Sequence, residues 1–243
     1  MNFARKLSLR AKHRFRLSGL SRSYWNRRVD AIRATGSFSQ HGEDRVLLEK
    51  CGKSGFYIDI GANHPFLISN TYMLYMEGWR GITVEPIRSL WKMHRQWRPD
   101  DLAVNAAIGD GEALEFFEMY PDVLSTLSRK TAEDIEKQNS GIIIAEYSVP
   151  MITGAELVEK YVGTKQVDLL SIDVEGAEMG VLSSFDFDKF SPRYILIEHQ
   201  NFINTGIEKD RLDTIENLGY VLDETLGANS LFKRVHPVSG SEG

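Results

Sequence analysis

Residues 56–65 read "FYIDIGANHP" and give the first indication of the fold. The apolar run "FYIDI" lies between Gly55 and Gly61, a pattern typical of a short buried strand. A second apolar run, "GITVE" at residues 81–85, follows a segment with helical apolar spacing that ends at Gly78. A strand, a helix and a second strand in this order predict a right-handed βαβ unit with parallel strands.

The rest of the chain continues this alternation. Further buried strands are predicted within "LAVNAAI", "VDLLSID" and "RYILIEH", with helices between them, and "ALEFFEM" is expected to be an antiparallel edge strand. Thr153 and Glu156 have the spacing of a capping box at a helix start. The closing runs "YVLDE" and "SLFKR" lie too close together for a helical crossover, so at least one should be antiparallel. We therefore predict an α/β fold: a Rossmann-like, doubly wound, mainly parallel sheet with an antiparallel C-terminal strand.

The length and composition indicate one main domain. The chain has 243 residues, of which 42% are hydrophobic, enough to build a single core. We expect this domain to span residues 34–235, with a basic arm at 1–33 and a disordered tail at 236–243. No run approaches the roughly 18 apolar residues of a membrane span. Cys51 is the single cysteine, which excludes an internal disulfide and fits a reducing compartment, so we expect a cytoplasmic protein.

The arm at residues 1–33 differs in charge from the rest of the chain. It holds ten Lys and Arg residues against one acid, Asp30, whereas the remainder holds 19 basic and 33 acidic residues. Such a segment can contact an anionic membrane at its inner face or an acidic partner, or it can be a solvated helix. Nucleic acid is not expected as a partner, because the acidic body repels phosphates.

The predicted strands end in acidic residues. In a doubly wound sheet, ligands bind beyond the carboxyl ends of the strands, near the point where the strand order reverses. Glu85 ends the second predicted strand, 24 residues after Gly61, close to the spacing at which an acid binds ribose hydroxyls. The loop after Gly61 has too few glycines for a pyrophosphate, and Asp59 would repel phosphate. A ligand with adenosine and a cationic amino-acid end fits better, and S-adenosylmethionine has both.

At this point the sequence resembles a known family. The segments "SQHGED", "YIDIGANHPFLISNTYMLYMEGWRGITVEP", "VNAAIGD" and "DLLSIDVEGAEMGVL" resemble the FkbM-type S-adenosylmethionine-dependent methyltransferases over about residues 38–200. The resemblance implies a sheet of the class I methyltransferase type. It also implies O-methylation, often of sugar hydroxyls in polysaccharides, glycolipids or natural products. The "GANHP" version of the loop is similar to members associated with bacterial surface glycans.

The resemblance also implies roles for residues along the cofactor. Asp59, Gly61 and Asn63 would line its methionine part, and Glu85 would bind its ribose.

Two further segments are assigned by the same resemblance. Residues Ala107 to Asp110 would contact the adenine. Gln40, with the acids Glu43 and Asp44, matches a motif that would close over the cofactor.

The candidate catalytic residues lie at the ends of two later strands. Asp173 and Glu175 follow the fourth predicted strand, and Glu198 and His199 end the fifth. Asp173, Glu175 and His199 are candidates for the base that removes a proton from the acceptor hydroxyl. Asp173, Glu198 and His199 could alternatively hold Mg²⁺ or Mn²⁺, which would lower the pKa of the hydroxyl. The simpler alternative is that Asp173 and Glu175 cap the following helix.

Several alternatives remain open at the level of sequence. We expect His64, next to Pro65, to shape the turn rather than to bind a ligand, and Ser125 to Ser128 to lie on a loop within reach of the acceptor. The favoured function is a sugar O-methyltransferase that acts on a glycan or small-molecule acceptor. The competing hypotheses are an NAD-dependent oxidoreductase on the same fold and a non-catalytic module tethered through its basic arm.

Overall fold

The computed structural model describes residues 7–12, 22–111, 113–121, 124–126, 128–174, 177–198 and 209–235. Residues 7–12 form a short helical segment. The helices that follow are α1 (Arg22–Thr35), α2 (Glu43–Cys51), α3 (Tyr72–Met76), α4 (Arg88–Trp97), α5 (Arg129–Lys137), α6 (Gly154–Leu157, extended by a π-helical turn at Val158–Val162), α7 (Glu178–Ser183) and α8 (Lys209–Asn217). The strands are β1 (Phe56–Ile60), β2 (Arg80–Val84), β3 (Leu102–Val104), β4 (Ala107–Ile108), β5 (Leu114–Tyr120), β6 (Ile142–Val149), β7 (Met151–Ile152), β8 (Leu169–Ile172), β9 (Tyr194–Glu198), β10 (Tyr220–Leu226) and β11 (Asn229–Arg234).

Seven strands form the central sheet in the order β10-β11-β9-β8-β1-β2-β3. The pairs β1–β2, β2–β3, β1–β8 and β8–β9 are parallel, whereas β11 is antiparallel to both β9 and β10. The predicted doubly wound sheet with an antiparallel C-terminal strand is therefore confirmed. The strand order reverses between β1 and β8, which places the expected ligand site at the carboxyl ends of these two strands.

Strand β1 is central because apolar side chains cover both of its faces. Ile58 and Ile60 join a core cluster with Leu170 and Ile172 of β8, and Tyr57 packs into a second cluster on the opposite face. Each fully buried side chain of this size contributes about 1.5–3 kcal/mol. This burial on both faces fixes the register of β1 and hence the position of the loop that follows it.

The predicted edge strand lies outside the central sheet. Strand β5 pairs antiparallel with β6 as a separate two-stranded sheet, so the predicted antiparallel edge strand is present, in a second sheet. Both faces of β5 are buried: Phe116 joins one core cluster, whereas Phe117 and Met119 pack against Ala132 of α5.

The capping box predicted at the start of α6 is present. The Thr153 hydroxyl accepts a hydrogen bond from the Glu156 N–H, and the Glu156 carboxylate accepts one from the Thr153 N–H. At the start of α3 the Ser69 hydroxyl accepts a hydrogen bond from the Tyr72 N–H, and the helix N-cap is Thr71.

Helix α1 crosses the predicted boundary between arm and domain. Trp25 is only 2% exposed, and its ring lies 5.5 Å from the ring of Phe66 and 5.0 Å from that of His64. The second half of the basic segment is therefore packed on the domain. Residues 13–21 and the predicted tail at 236–243 lie outside the described residues. Of the helices described, none is long and apolar enough to cross a membrane.

Candidate functional site

A cavity of about 920 Å³ opens at the carboxyl edge of the sheet, where the strand order reverses. Its volume is near the upper end of the range of roughly 300–1,000 Å³ found for small-molecule sites. The loops after β1, β2 and β8 contribute Gly61, Glu85 and Asp173, and the segment around β4 contributes Ala107 and Asp110. The topology thus brings together residues from four separate strand ends.

Gly61 forms the point where the loops after β1 and β8 touch. Its φ angle is +77°, and a Cβ atom built on it would lie 1.8 Å from the backbone carbonyl oxygen of Asp173. The N–H groups of Gly61 and Ala62 both donate to the Val84 carbonyl, at 3.0 and 3.2 Å. Only glycine fits here, because both the backbone conformation and the space exclude a side chain. The single glycine of the loop therefore allows the backbones of the loops after β1 and β8 to touch.

Asn63 and Glu85 form a rigid unit in the cavity wall. Asn63 has a left-handed backbone with φ 46°, and its N–H donates to Glu85 Oε2 at 2.7 Å. The Ile87 N–H donates to Glu85 Oε1 at 2.6 Å. A carboxylate has about four acceptor positions, so these two backbone hydrogen bonds do not by themselves prevent Glu85 from accepting hydrogen bonds from hydroxyl groups of a ligand.

His94 of α4 contacts this unit through the backbone carbonyl of Asn63, and this contact was not predicted from the sequence. The imidazole is fully buried, and its Nε2 lies 2.9 Å from the carbonyl oxygen of Asn63. Burial, together with the nearby Arg98 guanidinium, lowers the pKa of His94 to about 3. The ring is therefore neutral near pH 7, and Nε2–H donates to Asn63. A histidine in the middle of an amphipathic helix gives no sequence signal for such a contact.

Asp59 points away from the cavity. Successive side chains of a strand face opposite sides, so Asp59 lies on the face of Tyr57, and it is not among the described residues of the cavity wall. It accepts a hydrogen bond from the Thr71 hydroxyl, and its Oδ2 is 4.0 Å from Nη1 of Arg98. Burial raises the pKa of Asp59, while Arg98 and Thr71 oppose that effect. The predicted contact with the methionine part of the cofactor therefore has no counterpart in this geometry.

Arg98 is the centre of the buried network behind β1. Its Nε donates to Asp101 at 2.8 Å, and Nη2 donates to the hydroxyls of Tyr57 and Thr71. Its guanidinium also lies over the Tyr57 ring, 5.2 Å from the centroid. The network fixes β1 on the face opposite Ile58 and Ile60 and so holds the start of the Gly61 loop.

The segment predicted to contact adenine lies in the cavity wall. Ala107 and Gly109 donate their N–H groups to the carbonyls of Pro150 and Ile152, both at 3.0 Å. These bonds pair β4 with β7 and fix the backbone, while Asp110 remains exposed at the rim. Ala107 and Asp110 are therefore available to a ligand in the cavity.

The "SQHGED" motif has a structural role. Gln40 is exposed and is not among the described residues that line the cavity, whereas Glu43 and Asp44 are fully buried. Asp44 accepts from the Phe38 N–H at 2.6 Å, and Glu43 accepts from Asn229 Nδ2 at 2.9 Å. Burial acts to raise the pKa of Glu43, but its hydrogen bonds outweigh that effect and lower it. The motif joins α2 to β11 instead of closing over the cavity.

Of the predicted catalytic residues, the structure places Asp173 in the cavity. Its side chain is half-buried in the wall, beside Val174 and Ala177. Glu198 is half-buried at the end of β9 and is not a described wall residue, and Glu175 and His199 lie outside the described residues. Within the described ranges, no group of three His, Cys, Asp or Glu residues could hold a metal ion. The metal site predicted at Asp173, Glu198 and His199 includes a residue outside these ranges, so it stays a prediction.

The wall opposite the sheet comes from β5, the segment that follows it and α5. Phe116, Leu124 and Ile135 make it largely apolar, and Ser125, Thr126 and Thr131 add polar groups. The Ser125 hydroxyl accepts from the Met119 N–H at 3.1 Å, which fixes its position. Ser125 and Thr126 thus lie where sequence reasoning expected a loop near the acceptor.

The charge of the cavity is uniformly negative. The charged side chains among the described wall residues are Glu85, Asp110 and Asp173. A wall with three acids and no described basic residue favours a cationic ligand and disfavours a pyrophosphate.

A model of the methyltransferase FkbM domain matches residues 59–222 of the chain. The protein belongs to the FkbM methyltransferase family. It is therefore an S-adenosylmethionine-dependent methyltransferase, as the resemblance of its motifs implied. No curated protein matches the chain at a significant level.

Among solved structures, this methyltransferase is similar to a TehB-like S-adenosylmethionine-dependent methyltransferase from Corynebacterium glutamicum. The two chains share 12% identity with a TM-score of 0.46, over 90% of this chain and 100% of the other. A likeness of this degree says nothing about the substrate.

The residues of the cavity fit the cofactor of this family. S-adenosylmethionine is a nucleoside with a sulfonium and an ammonium group and without phosphate. The fixed Glu85 carboxylate suits its ribose, and the acidic wall suits its cations. The same wall opposes the pyrophosphate of NAD, which is the chemical reason to set aside the oxidoreductase alternative.

Proposed function

We propose that this FkbM-family enzyme methylates a hydroxyl group of a sugar in a bacterial surface glycan or in its precursor. The observation that carries the proposal is the position of Asp173, an acid in the same cavity as Glu85 and opposite an apolar wall with hydroxyl groups. One cavity therefore offers a cofactor side, a base and a second surface for an acceptor.

The cofactor side of the cavity follows the strand ends. Glu85 would accept hydrogen bonds from the ribose, and Ala107 to Asp110 would lie against the adenine. The methionine part would then extend past Gly61 and Asn63, toward Asp173. This arrangement retains the predicted roles of these residues and gives Asp59 and Gln40 no direct contact.

Bound S-adenosylmethionine supplies an activated methyl group, so the protein has to align the acceptor and remove one proton. The acceptor oxygen forms a bond to the methyl carbon as the carbon–sulfur bond breaks, and the electron pair of that bond stays on sulfur. The Asp173 carboxylate takes the hydroxyl proton. No metal is needed for this balance of charge.

The second surface suits a neutral sugar. The apolar face of a sugar ring can pack on Phe116, and its hydroxyls can exchange hydrogen bonds with Ser125 and Thr131. The acidic wall would repel a phosphate or a carboxylate on the reacting sugar. The charged carrier of a glycan precursor would therefore stay outside the cavity.

The proposal is tested by transfer of a deuterated methyl group from S-adenosylmethionine to matched panels of neutral glycosides, amines and carboxylic acids. Mass spectrometry locates the label on each product. We expect a deuterated methyl ether on a neutral glycoside, and none with Asp173→Asn. Label on an amine or a carboxylate instead would overturn the hydroxyl assignment, while leaving the enzyme a methyltransferase.

A further inference from the structure

The apolar side of helix α1 is packed against the domain. Trp25, Val29 and Ile32 recur at helical spacing and pack into the core cluster that contains Phe66. The contact of Trp25 with His64 and Phe66 fixes α1 on the loop that follows β1. The opposite side of α1 is consequently held at a fixed position on the protein surface.

The exposed surface of α1 carries three arginines. Arg27 and Arg28 donate hydrogen bonds to Ser23 and Tyr24 of the same helix, and none of Arg27, Arg28 and Arg33 forms an ion pair with a carboxylate of the described residues. Elsewhere on the surface the opposite arrangement occurs: Arg129 bonds Glu115 and Glu146, and Arg193 bonds Asp168. The acid Asp30 is also exposed on α1, so the three arginines leave the surface of this helix with a net positive charge, in a chain whose net charge is −5.

The loop next to α1 exposes an apolar side chain in a strained conformation. Ile68 is 65% exposed and has a φ angle of 53°. A β-branched residue in the left-handed region is a true outlier, and its strain is of order 1–3 kcal/mol. Its neighbour Phe66 is fully buried beneath Trp25. The fold therefore presents Ile68 outward at a conformational cost.

These features lie at the edge of the sheet on which the cavity opens. The loop that ends in Ile68 begins at Gly61 and Asn63, which line the cavity. A substrate carried on a surface that contacts α1 would therefore be close to the cavity.

We propose that the α1 surface, formed by Arg27, Arg28, Arg33 and Ile68, docks on an anionic lipid bilayer. The arginines neutralise lipid phosphates, and Ile68 enters the boundary between headgroups and acyl chains. The acidic body is repelled by the same bilayer, so the contact fixes the orientation of the protein. This inference goes beyond the proposed function and does not depend on it.

Flotation of the full chain with vesicles tests the inference. One set of vesicles contains phosphatidylcholine alone, and a second set also contains phosphatidylglycerol. We expect binding to the second set at low salt and its loss at high salt, since a Debye length shortens with ionic strength. The triple variant Arg27→Gln, Arg28→Gln, Arg33→Gln should bind about a hundredfold more weakly, because each basic residue near an anionic surface contributes about fivefold.

Two further variants separate local charge from other causes. Lys160→Gln, Lys165→Gln and Lys189→Gln together change the net charge equally at exposed positions on other elements, and should leave binding unchanged. Ile68→Asn should weaken vesicle binding without lowering the thermal unfolding midpoint, because asparagine adopts the left-handed backbone readily.

Three outcomes would overturn the inference: equal binding to both sets of vesicles, an equal loss in the control triple variant, or full vesicle binding by the α1 triple variant. Circular dichroism of each variant verifies that it is folded, so that loss of binding cannot be attributed to unfolding.

Discussion

The position that a Cβ atom would take at Gly61 lies 1.8 Å from the carbonyl oxygen of Asp173. The loop that carries Asn63 toward the cofactor and the loop that carries the proposed base are thus in backbone contact. The Asp173 N–H also donates to the Ile60 carbonyl at 3.0 Å, one residue before Gly61. Cofactor position and base position are therefore coupled through this contact.

Substitution of Gly61 by alanine should be severely destabilising. The new methyl group would collide with backbone, and the φ angle of +77° adds strain of about 1–2 kcal/mol. We expect the free energy of unfolding to fall by about 4 kcal/mol or more, measured by denaturant titration. Gly36→Ala is the matched control, because Gly36 has φ +82° but no atom within 4 Å of the added Cβ. Similar losses in the two variants would refute the contact as the cause.

Asp173→Asn should separate binding from chemistry. The change keeps the shape of the side chain but removes the base, so turnover should fall by about 10²–10⁴-fold while S-adenosylmethionine binding stays close to that of the wild type. Single-turnover assays and calorimetry measure the two effects. Asp110→Asn, in the same wall at the adenine end, should affect binding more than turnover. If Asp173→Asn turns over at the wild-type rate, Asp173 is not the base.

Acid should destabilise the protein through His94. Its pKa is about 3 when folded and about 6.5 in the unfolded chain, so the unfolded state binds more protons between these values. The stability that His94 contributes is complete above pH 6.5 and is lost as the pH falls, by up to about 1.4 kcal/mol per pH unit. Denaturant titrations of wild type and His94→Gln across this window measure the difference. We expect a shallower acid dependence for His94→Gln, and identical slopes would disprove the assignment.

Removal of Arg98 should leave two buried carboxylates, Asp59 and Asp101, without their cation. We expect Arg98→Met to lower the free energy of unfolding by about 3–5 kcal/mol. Arg129→Met breaks two exposed ion pairs, with Glu115 and Glu146, and should cost less than about 1 kcal/mol. Thermal unfolding of both variants tests this contrast; a small effect of Arg98→Met would show that the buried network is not essential to the fold.

Much of the fold was accessible from sequence, because β1, β2 and β8 are short apolar runs bounded by turns. The antiparallel C-terminal strand was predictable because the connection before it is too short for a helical crossover. The separate sheet of β5 and β6 was not predicted, since this pairing joins strands on either side of α5.

The site was only partly predictable. The rule that ligands bind at the carboxyl ends of strands placed Glu85, Asp110 and Asp173 together. It did not reveal that the alternation of side chains along β1 places Asp59 near Arg98. It also did not reveal that Glu43 and Asp44 accept hydrogen bonds from groups within the fold. His94 was missed because its partner is a backbone carbonyl, which no side-chain pattern reveals.

The loop "IDIGANHP" contains features that the sequence predicts and contacts that it does not reveal. A backbone contact requires its glycine, and hydrogen bonds to Glu85 and His94 hold the backbone of Asn63. His64 shapes the turn as expected: its Nδ1 accepts from the Leu67 N–H at 3.2 Å, and its ring packs on Trp25 and Phe66.

In the proposed function, the acidic cavity binds S-adenosylmethionine through Glu85. Calorimetric titration of the wild type, Glu85→Gln and the exposed control Glu115→Gln with S-adenosylmethionine and with NAD⁺ tests this binding. We predict that the wild type and Glu115→Gln bind S-adenosylmethionine equally, that Glu85→Gln binds it about 10–100-fold more weakly, and that NAD⁺ does not bind. Binding of NAD⁺ without S-adenosylmethionine, or unchanged affinity in Glu85→Gln, would contradict the claim.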